Sequence, residues 1–185
     1  MNILENITNG NTNIEAIKEK LFDVKRIQLH PNMEGFNSPT AFGIYKGTGG
    51  NALGVVGKDF EPTQPKILFD AFETCLYDTD ANMSQVEYKT LKQDKKILFT
   101  APIKTVGFKN LKGLNDESVI SLNLQTGFDG KTKTSLFLSM MRMICTNGMK
   151  ALNTEFAVSF KNTKNITFSP VIGNDKFTFT AGLTF

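Results

Sequence analysis

The chain of 185 residues has no tryptophan, one histidine, two cysteines and no long apolar run. A bilayer span needs about 18 consecutive apolar residues, and a signal peptide needs basic and apolar blocks that the polar N-terminal residues lack. We therefore expect a cytoplasmic protein with no membrane partner. Cys75 and Cys145 form no CxxC pair, so two reduced thiols are expected rather than a disulfide.

The scarcity of histidine also limits the chemistry. His30 is the one imidazole available, which excludes a histidine-rich metal site within one chain, and its place before Pro31 is typical of a turn. Residues 50–59 resemble a phosphate loop, but Ala52 replaces a required glycine and Asp59 replaces the Ser or Thr that holds magnesium. We expect no catalytic residue, no metal and no cofactor.

Two further sources of chemistry are weak. Cys145 lies three residues after Arg142, whose charge would lower the pKa of the thiol if the side chains met, but a buried and inert cysteine is the commoner case. The carboxylates are scattered, and no pair has a spacing that marks an acid and base couple. Solvated surface is their expected role.

Composition indicates one ordinary folded unit. Hydrophobic residues make up 40% and charged residues 21%, values typical of globular proteins. Residues 1–12, rich in Asn and Thr, predict a flexible lead-in, and residues 13–185 are expected to form a single domain. The net charge of +3 is too small to indicate nucleic acid by itself.

Periodicity predicts an α+β fold dominated by antiparallel sheet, with about two packed helices. Thr12 and Glu15 have the spacing of a capping box at the start of the first helix, and Pro65 begins the second. Strands are predicted at 24–30, 41–46, 52–60, 85–91, 96–106, 118–125 and 132–144, with more after 155, and loops at 32–39 and 107–117. Pro102 predicts an edge or a bulge, Asp129-Gly130 a type I′ hairpin turn, and the end of the 132–144 strand has some helical character.

Lysines and phenylalanines alternate in two stretches, a pattern that can stack bases and neutralise phosphates. Alternate phenylalanines on strands more often form core, so the pattern leaves both roles open. The candidate nucleic-acid-binding residues are Lys104, Phe108, Lys109, Lys112, Arg142, Lys161 and Lys164.

Three ordered segments resemble a family of phage and plasmid proteins, Domain of Unknown Function 932. They are residues 39–72, with Leu53-Gly54-Val55-Val56-Gly57; the strands near Tyr88; and residues 127–148, with Gly127-Phe128-Asp129-Gly130 and Arg142 to Gly148. The resemblance covers roughly residues 39–152. Phe60 stands where the family tends to have tyrosine, and Phe128 where it tends to have a polar residue such as histidine. The resemblance implies a phage or mobile-element setting, hence the host cytosol, and no established activity.

The leading hypothesis is a non-enzymatic protein that binds single-stranded DNA in replication, recombination or annealing, by analogy with other mobile-element proteins. The alternative is a self-assembling or partner-binding protein, such as a virion component or an inhibitor of host defence, that uses an exposed strand edge. A homo-oligomer fits either hypothesis. An enzyme acting through Cys145 or clustered carboxylates is the third hypothesis.

Overall fold

The computed structural model describes residues 13–29, 41–47, 50–77, 79, 81–109, 115–143, 150–162, 166–173 and 176–183. The helices are α1 (residues 13–20) and α2 (Pro65–Tyr77), with a short 3-10 helix at Met83–Gln85. The strands are β1 (Val24–Gln28), β2 (Ala41–Lys46), β3 (Ala52–Gly57), β4 (Glu87–Leu91), β5 (Lys96–Lys109), β6 (Asn115–Gly127), β7 (Thr134–Met143), β8 (Lys150–Phe160), β9 (Ile166–Gly173) and β10 (Lys176–Leu183).

Every sheet is antiparallel and follows the order of the chain. The strands form a three-stranded sheet β1-β2-β3, a five-stranded sheet β4 to β8, and a hairpin of β9 and β10. Two helices with mostly antiparallel strands confirm the predicted α+β class. Sequential pairing arises because each strand alternates apolar and polar positions and short turns join neighbours.

The helix α2 covers one face of the five-stranded sheet. Phe69 and Phe72 are fully buried on the helix, and their rings lie 5.0 and 5.9 Å from the ring of Phe99 in β5. The ring of Tyr88 on β4 also stacks on Phe99, with the ring centroids 5.5 Å apart. Burying aromatic rings of this size contributes about 1.5–3 kcal/mol each, so this cluster is the centre of the core.

The smaller elements complete the core, with α1 beside α2, since Lys18 pairs with Glu73 at 2.7 Å. Ile14 and Ile17 are buried on α1, as their helical spacing predicts. At the start of β1, the side chain of Gln64 makes the two hydrogen bonds that a neighbouring strand would make. Its amide oxygen accepts from the backbone N–H of Val24 at 2.9 Å, and its amide nitrogen donates to the carbonyl of Val24 at 2.7 Å. The Gln64 side chain therefore satisfies the backbone groups of Val24 at the edge of β1.

The two sheets meet at Gly54. A β-carbon at this position would lie 2.6 Å from the carbonyl oxygen of Phe128 and 2.8 Å from the α-carbon of Asp129. Glycine is therefore required for the backbone of β3 to approach the loop between β6 and β7. Two of the segments that carry the family resemblance, far apart in the sequence, are in direct contact here.

Two local predictions are wrong. The segment 107–117 is not a loop at its ends, because Gly107 pairs with Glu117 and Lys109 with Asn115, so β5 extends into it as far as Lys109 and β6 begins within it at Asn115. Cross-strand hydrogen bonds outweigh the local preference of Gly and Lys for turns. The Asp129-Gly130 turn is not type I′, which needs positive φ at both residues, since only Gly130 has it, at +73°.

Other predictions are confirmed or fall outside the described residues. The bulge expected near Pro102 is present, because the register of β5 against β6 shifts between Pro102 and Lys104. The lead-in 1–12, with Thr12, the loop 32–39 and the end of the 132–144 strand beyond residue 143 lie outside the described residues.

The contact at Gly54 predicts that alanine substitutions at two glycines of β3 differ strongly in their effect on the free energy of unfolding. We expect Gly54→Ala to lower the free energy of unfolding by about 1–3 kcal/mol, because the clash is with backbone atoms that cannot rotate away. Gly57→Ala is the matched control, since nothing lies within 4 Å of its β-carbon, and its effect should stay within about 0.5 kcal/mol. Urea unfolding of both variants is the measurement, and equal effects would contradict the assigned contact.

Candidate nucleic-acid interface

The predicted binding residues do not lie together. Lys104 is exposed on β5, and Phe108, Lys109 and Arg142 occupy strand positions at the same end of the five-stranded sheet, since Arg142 pairs with Ser118 and Ser118 with Val106. Lys161 follows β8 at the opposite end, roughly 25–40 Å from these residues along the strands at about 3.3 Å per residue. Lys112 and Lys164 lie outside the described residues.

The end that carries Lys161 holds a concentration of positive charge. Two hairpin turns meet there, one between β4 and β5 and one between β6 and β7, because Lys96 pairs with Gly127 and Thr134 pairs with Phe160. We call this the turn end of the sheet. Its lysines are Lys92, Lys95, Lys96, Lys131, Lys133 and Lys161.

None of these six lysines makes an ion pair with any residue of the described ranges. Lys92, Lys131, Lys133 and Lys161 are exposed, and Lys95 and Lys96 are half-buried. The carboxylates of the two turns, Asp94 and Asp129, are both engaged in internal contacts. The turn end therefore keeps an excess of positive charge that can attract an external anion.

Asp94 holds the turn between β4 and β5. Its carboxylate accepts a hydrogen bond from the Lys46 ammonium at 2.6 Å, which joins this turn to the end of β2. The bond to Lys46, followed by one from Thr90, holds the pKa of Asp94 below its usual 3.8. The same Lys46 nitrogen lies 4.6 Å above the ring of Phe22.

The turn is also strained. Lys92, Gln93 and Asp94 have φ of 53°, 57° and 65°, so three consecutive residues other than glycine adopt the left-handed conformation. Each such residue costs about 1 kcal/mol or more, and a run of them persists only where the surroundings hold it. Strain of this kind is concentrated at functional sites.

Asp129 organises the turn between β6 and β7. Its carboxylate accepts hydrogen bonds from the backbone N–H of Lys131 at 3.0 Å, and from the N–H and hydroxyl of Thr132 at 2.7 and 2.9 Å. Burial opposes ionisation, but these three bonds and the charge of Lys96 together hold the pKa of Asp129 below its usual value. The loop that carries Lys131 and Lys133 is thereby fixed.

Asn162 anchors the segment that carries Lys161. Its side chain is buried; the amide donates to the carbonyl of Gly127 at 3.2 Å and to the hydroxyl of Thr126 at 3.3 Å, and its oxygen accepts from the hydroxyl of Thr134 at 2.5 Å. The backbone carbonyl of Asn162 also accepts from the N–H of Glu61 at 3.3 Å. A satisfied buried network of this kind is rigid, so Lys161 extends from a fixed base.

Sequence reasoning selected one lysine of this group, Lys161, and missed the other five. The available signal was topological: in a chain of antiparallel strands, alternate turns lie at the same end of the sheet. The Asp129-Gly130 turn was predicted from the sequence, the predicted strands 85–91 and 96–106 imply a turn around Asp94, and lysines follow closely in both places. Charge therefore accumulates in space although it is spread over 70 residues of sequence.

No group of three potential metal ligands comes together within the described ranges, and His30 and Cys145 lie outside them. The hydroxyl of Tyr88 is buried without a hydrogen-bond partner, and burial followed by the charge of Asp94 raises its pKa to about 12. At neutral pH it stays protonated. Cys75 is buried on α2.

Comparison with known proteins places the chain in a family. The Domain of unknown function (DUF932) family matches residues 52–172, and the chain belongs to that family. The matched range contains Gly54, Phe128 and most of the turn end. The side chain of Phe128 is fully buried. No curated protein and no solved structure matches the chain.

Membrane insertion through a helix finds no support in the described part of the chain, where neither helix has the length and apolar character to traverse a bilayer.

The strained turn predicts a stabilising substitution. We expect Gln93→Gly to raise the free energy of unfolding by about 1 kcal/mol, because glycine adopts positive φ without steric cost. Gln85→Gly, at a position with negative φ, is the control and should be destabilising by about 0.5–1 kcal/mol. Thermal unfolding of both variants is the measurement, and a loss of stability in Gln93→Gly would contradict the assigned geometry.

The Asp94 contact predicts a pH-dependent loss of stability. The folded pKa is lowered, so the stabilisation is present above pH 3.8 and is lost as pH falls through the folded value. We expect Asp94→Asn to unfold more easily at pH 7, by about 0.5–1 kcal/mol for a half-exposed pair, and to match the parent protein at the acid end of this range. Glu87→Gln, which breaks the exposed pair with Lys89, is the control and should change little at any pH. If Asp94→Asn and the parent differ in free energy of unfolding by the same amount at every pH, the ion pair is excluded as the cause.

Proposed function

We propose that this chain binds single-stranded nucleic acid without catalysing a reaction, and that the turn end of the five-stranded sheet contacts the phosphates. The observation that carries the proposal is the group of six lysines with no ion pair among the described residues, on turns fixed by Asp94, Asp129 and Asn162. The backbone that carries these lysines is already ordered. Binding a polyanion therefore costs little entropy beyond that of the lysine side chains themselves.

The chemistry of the turn end favours a backbone contact. Lysine ammonium groups are point charges that neutralise phosphates and release counterions, and they carry little sequence information. Binding of this kind suits a protein that coats or anneals strands of any sequence. We propose a role in replication, recombination or annealing for a phage or another mobile element, in the host cytosol, by analogy with proteins of such elements.

Self-association through a strand edge is the second candidate. Among the described residues, β4 pairs with β5 only from Lys96 to Thr100, so the outer side of β5 from Ala101 to Lys109 has no strand beside it. Pro102, the adjacent bulge and the exposed Lys104 all disfavour the addition of another strand. A homo-oligomer, a virion component or an inhibitor of host defence would therefore need another surface, and the lysines favour nucleic acid.

The turn end can be tested by charge removal. We expect the triple variant Lys131→Gln, Lys133→Gln and Lys161→Gln to bind labelled oligothymidylate about 10- to 100-fold more weakly near 0.1 M salt. The slope of log affinity against log salt should fall by about 2, because about 0.7 counterion is released per phosphate contact on a single strand. Fluorescence anisotropy at about 50 and about 200 mM salt measures both quantities.

Two matched variants decide where the strand binds. Lys20→Gln, Lys66→Gln and Lys89→Gln together remove the same charge from other exposed positions, and should retain most of the affinity. Lys104→Gln, Lys109→Gln and Arg142→Gln remove it from the opposite end of the sheet. If the variant at Lys104, Lys109 and Arg142 loses binding and the turn-end triple variant does not, the proposed site is wrong. If the parent protein shows no binding at micromolar concentration and low salt, the proposed function is wrong.

A further inference from the structure

The five-stranded sheet has a second face, on the side opposite α2. In β5 the ring of Phe99 packs against the helix, so alternation directs Leu98 and Thr100 to the other side. The strand register extends this side across the sheet, and we call it the polar face. Its residues, from β4 to β8, are Glu87, Lys89, Leu98, Thr100, Asn123, Gln125, Ser135, Phe137 and Ser159.

The polar face is partly exposed and rich in hydrogen-bonding groups. Asn123 is buried at its centre, where its amide donates to the hydroxyl of Ser139 at 2.7 Å and accepts from the hydroxyl of Thr100 at 3.0 Å. Gln125 and Ser135 are partly exposed, and their side chains make no hydrogen bond with any residue of the described ranges. Both are able to donate and accept, so they are available to a ligand.

Three lysines of the turn end form the border of the polar face. Each is two positions along the chain from a residue of that face, and alternation therefore places it on the same side. These lysines are Lys96, Lys133 and Lys161, beside Leu98, Ser135 and Ser159 in turn. The next residue after Lys161 agrees with this placement, because the side chain of Asn162 bonds to Thr134 on the helix side. We call these three lysines the lysine row.

The lysine row brings like charges together. Thr134 pairs with residue 160, so Lys133 and Lys161 stand opposite each other on neighbouring strands. Lys96 pairs with Gly127, where a β-carbon would overlap the side chain of Thr132. Like charges at opposite positions of a sheet destabilise it, and an anion between them converts repulsion into attraction.

Phe137 is the aromatic residue of the polar face. It pairs with Asn123 across β6 and is partly exposed, and its ring is not packed against the buried core. An aromatic ring among polar residues on a sheet is a stacking surface for a base. Phe137 is four residues from Lys133, about 13 Å along β7 at about 3.3 Å per residue. A lysine side chain and one nucleotide together span that distance.

We propose that a single strand of nucleic acid crosses the polar face, with its phosphates on the lysine row and one of its bases stacked on Phe137. The inference rests on the proposed function and adds the surface that contacts the bases. Gln125 and Ser135 lie between the lysine row and Phe137, where their polar groups meet sugars or base edges.

The charge of the polar face selects this occupant. Glu87 forms an ion pair with Lys89, and the carboxylate of Asp129, beside the lysine row, accepts three hydrogen bonds within its own loop while it offsets part of the charge of Lys96. Lys96 and Lys161 are three strand spacings apart, about 14 Å at about 4.8 Å per strand. A row of this length contacts more than one phosphate of a strand.

The test separates base stacking from phosphate binding. Parent protein and variants are titrated with labelled oligothymidylate and with an abasic oligonucleotide of the same length, which carries the phosphates without bases. We expect the parent to prefer oligothymidylate. Phe137→Leu removes the ring and should bind oligothymidylate about 5- to 100-fold more weakly, with unchanged affinity for the abasic strand and an unchanged salt slope. Phe137→Tyr keeps the ring and should stay within about threefold of the parent for both.

A pair of charge variants tests the location. Ser135→Glu places a carboxylate on the polar face and should weaken the binding of both oligonucleotides by about 10-fold or more. Thr74→Glu adds the same charge at an exposed position of α2, and should change both affinities by less than about threefold. Equal effects of the two substitutions would overturn the placement of the strand on the polar face.

The remaining outcomes distinguish this inference from the proposed function. If Phe137→Leu binds oligothymidylate as tightly as the parent while the turn-end triple variant is weakened, the stacking role is overturned and the phosphate contact remains. Equal weakening for both oligonucleotides in Phe137→Leu, or equal parent affinity for them, also overturns stacking. A parent dimer that dissociates in Ser135→Glu, measured by light scattering, would assign the polar face to a second copy and overturn the inference. Absence of any binding overturns both proposals.

Discussion

The placement of Phe128 between the two sheets determines much of the remaining structure. Its side chain is fully buried, its ring meets that of Phe22 edge to face at 5.9 Å, and its backbone N–H donates to the carbonyl of Lys95 at 2.9 Å. Its carbonyl oxygen lies against Gly54. One residue therefore connects the segment that follows α1, both hairpin turns and β3. The apolar ring supplies the burial, while the backbone contacts fix the direction from which each element approaches.

Internal use of the acidic groups explains how the turn end acquires its charge. Asp94 is bonded to Lys46, and Asp129 to the backbone of its own loop. Each carboxylate stabilises its turn and still cancels one unit of positive charge at long range. The six lysines and two aspartates of the two turns and Lys161 therefore carry four net positive charges. The small net charge of the whole chain conceals this distribution, because charges of both signs cover the remaining surface.

The sequence was a good guide to elements whose signal is local, and a poor one to the site. Helix α2, with Pro65 at its start, and the bulge at Pro102 follow from residue type alone. The ends of β5 and β6 do not, because Gly107 and Lys109 are extended by pairing with residues of another strand. Five of the six lysines of the turn end were not predicted for the same reason: their proximity depends on sheet register, which no segment of the chain specifies alone.

The contact between Gly54 and the Phe128–Asp129 backbone limits how related chains can vary. The atoms that a β-carbon would meet are a carbonyl oxygen and an α-carbon, which every amino acid has. Exchanging the side chain at 128 or 129 therefore creates no room for a larger residue at 54, and a paired substitution cannot rescue it. Variation at position 54 requires a displaced loop, with insertions or deletions near Asp129 instead of compensating side chains.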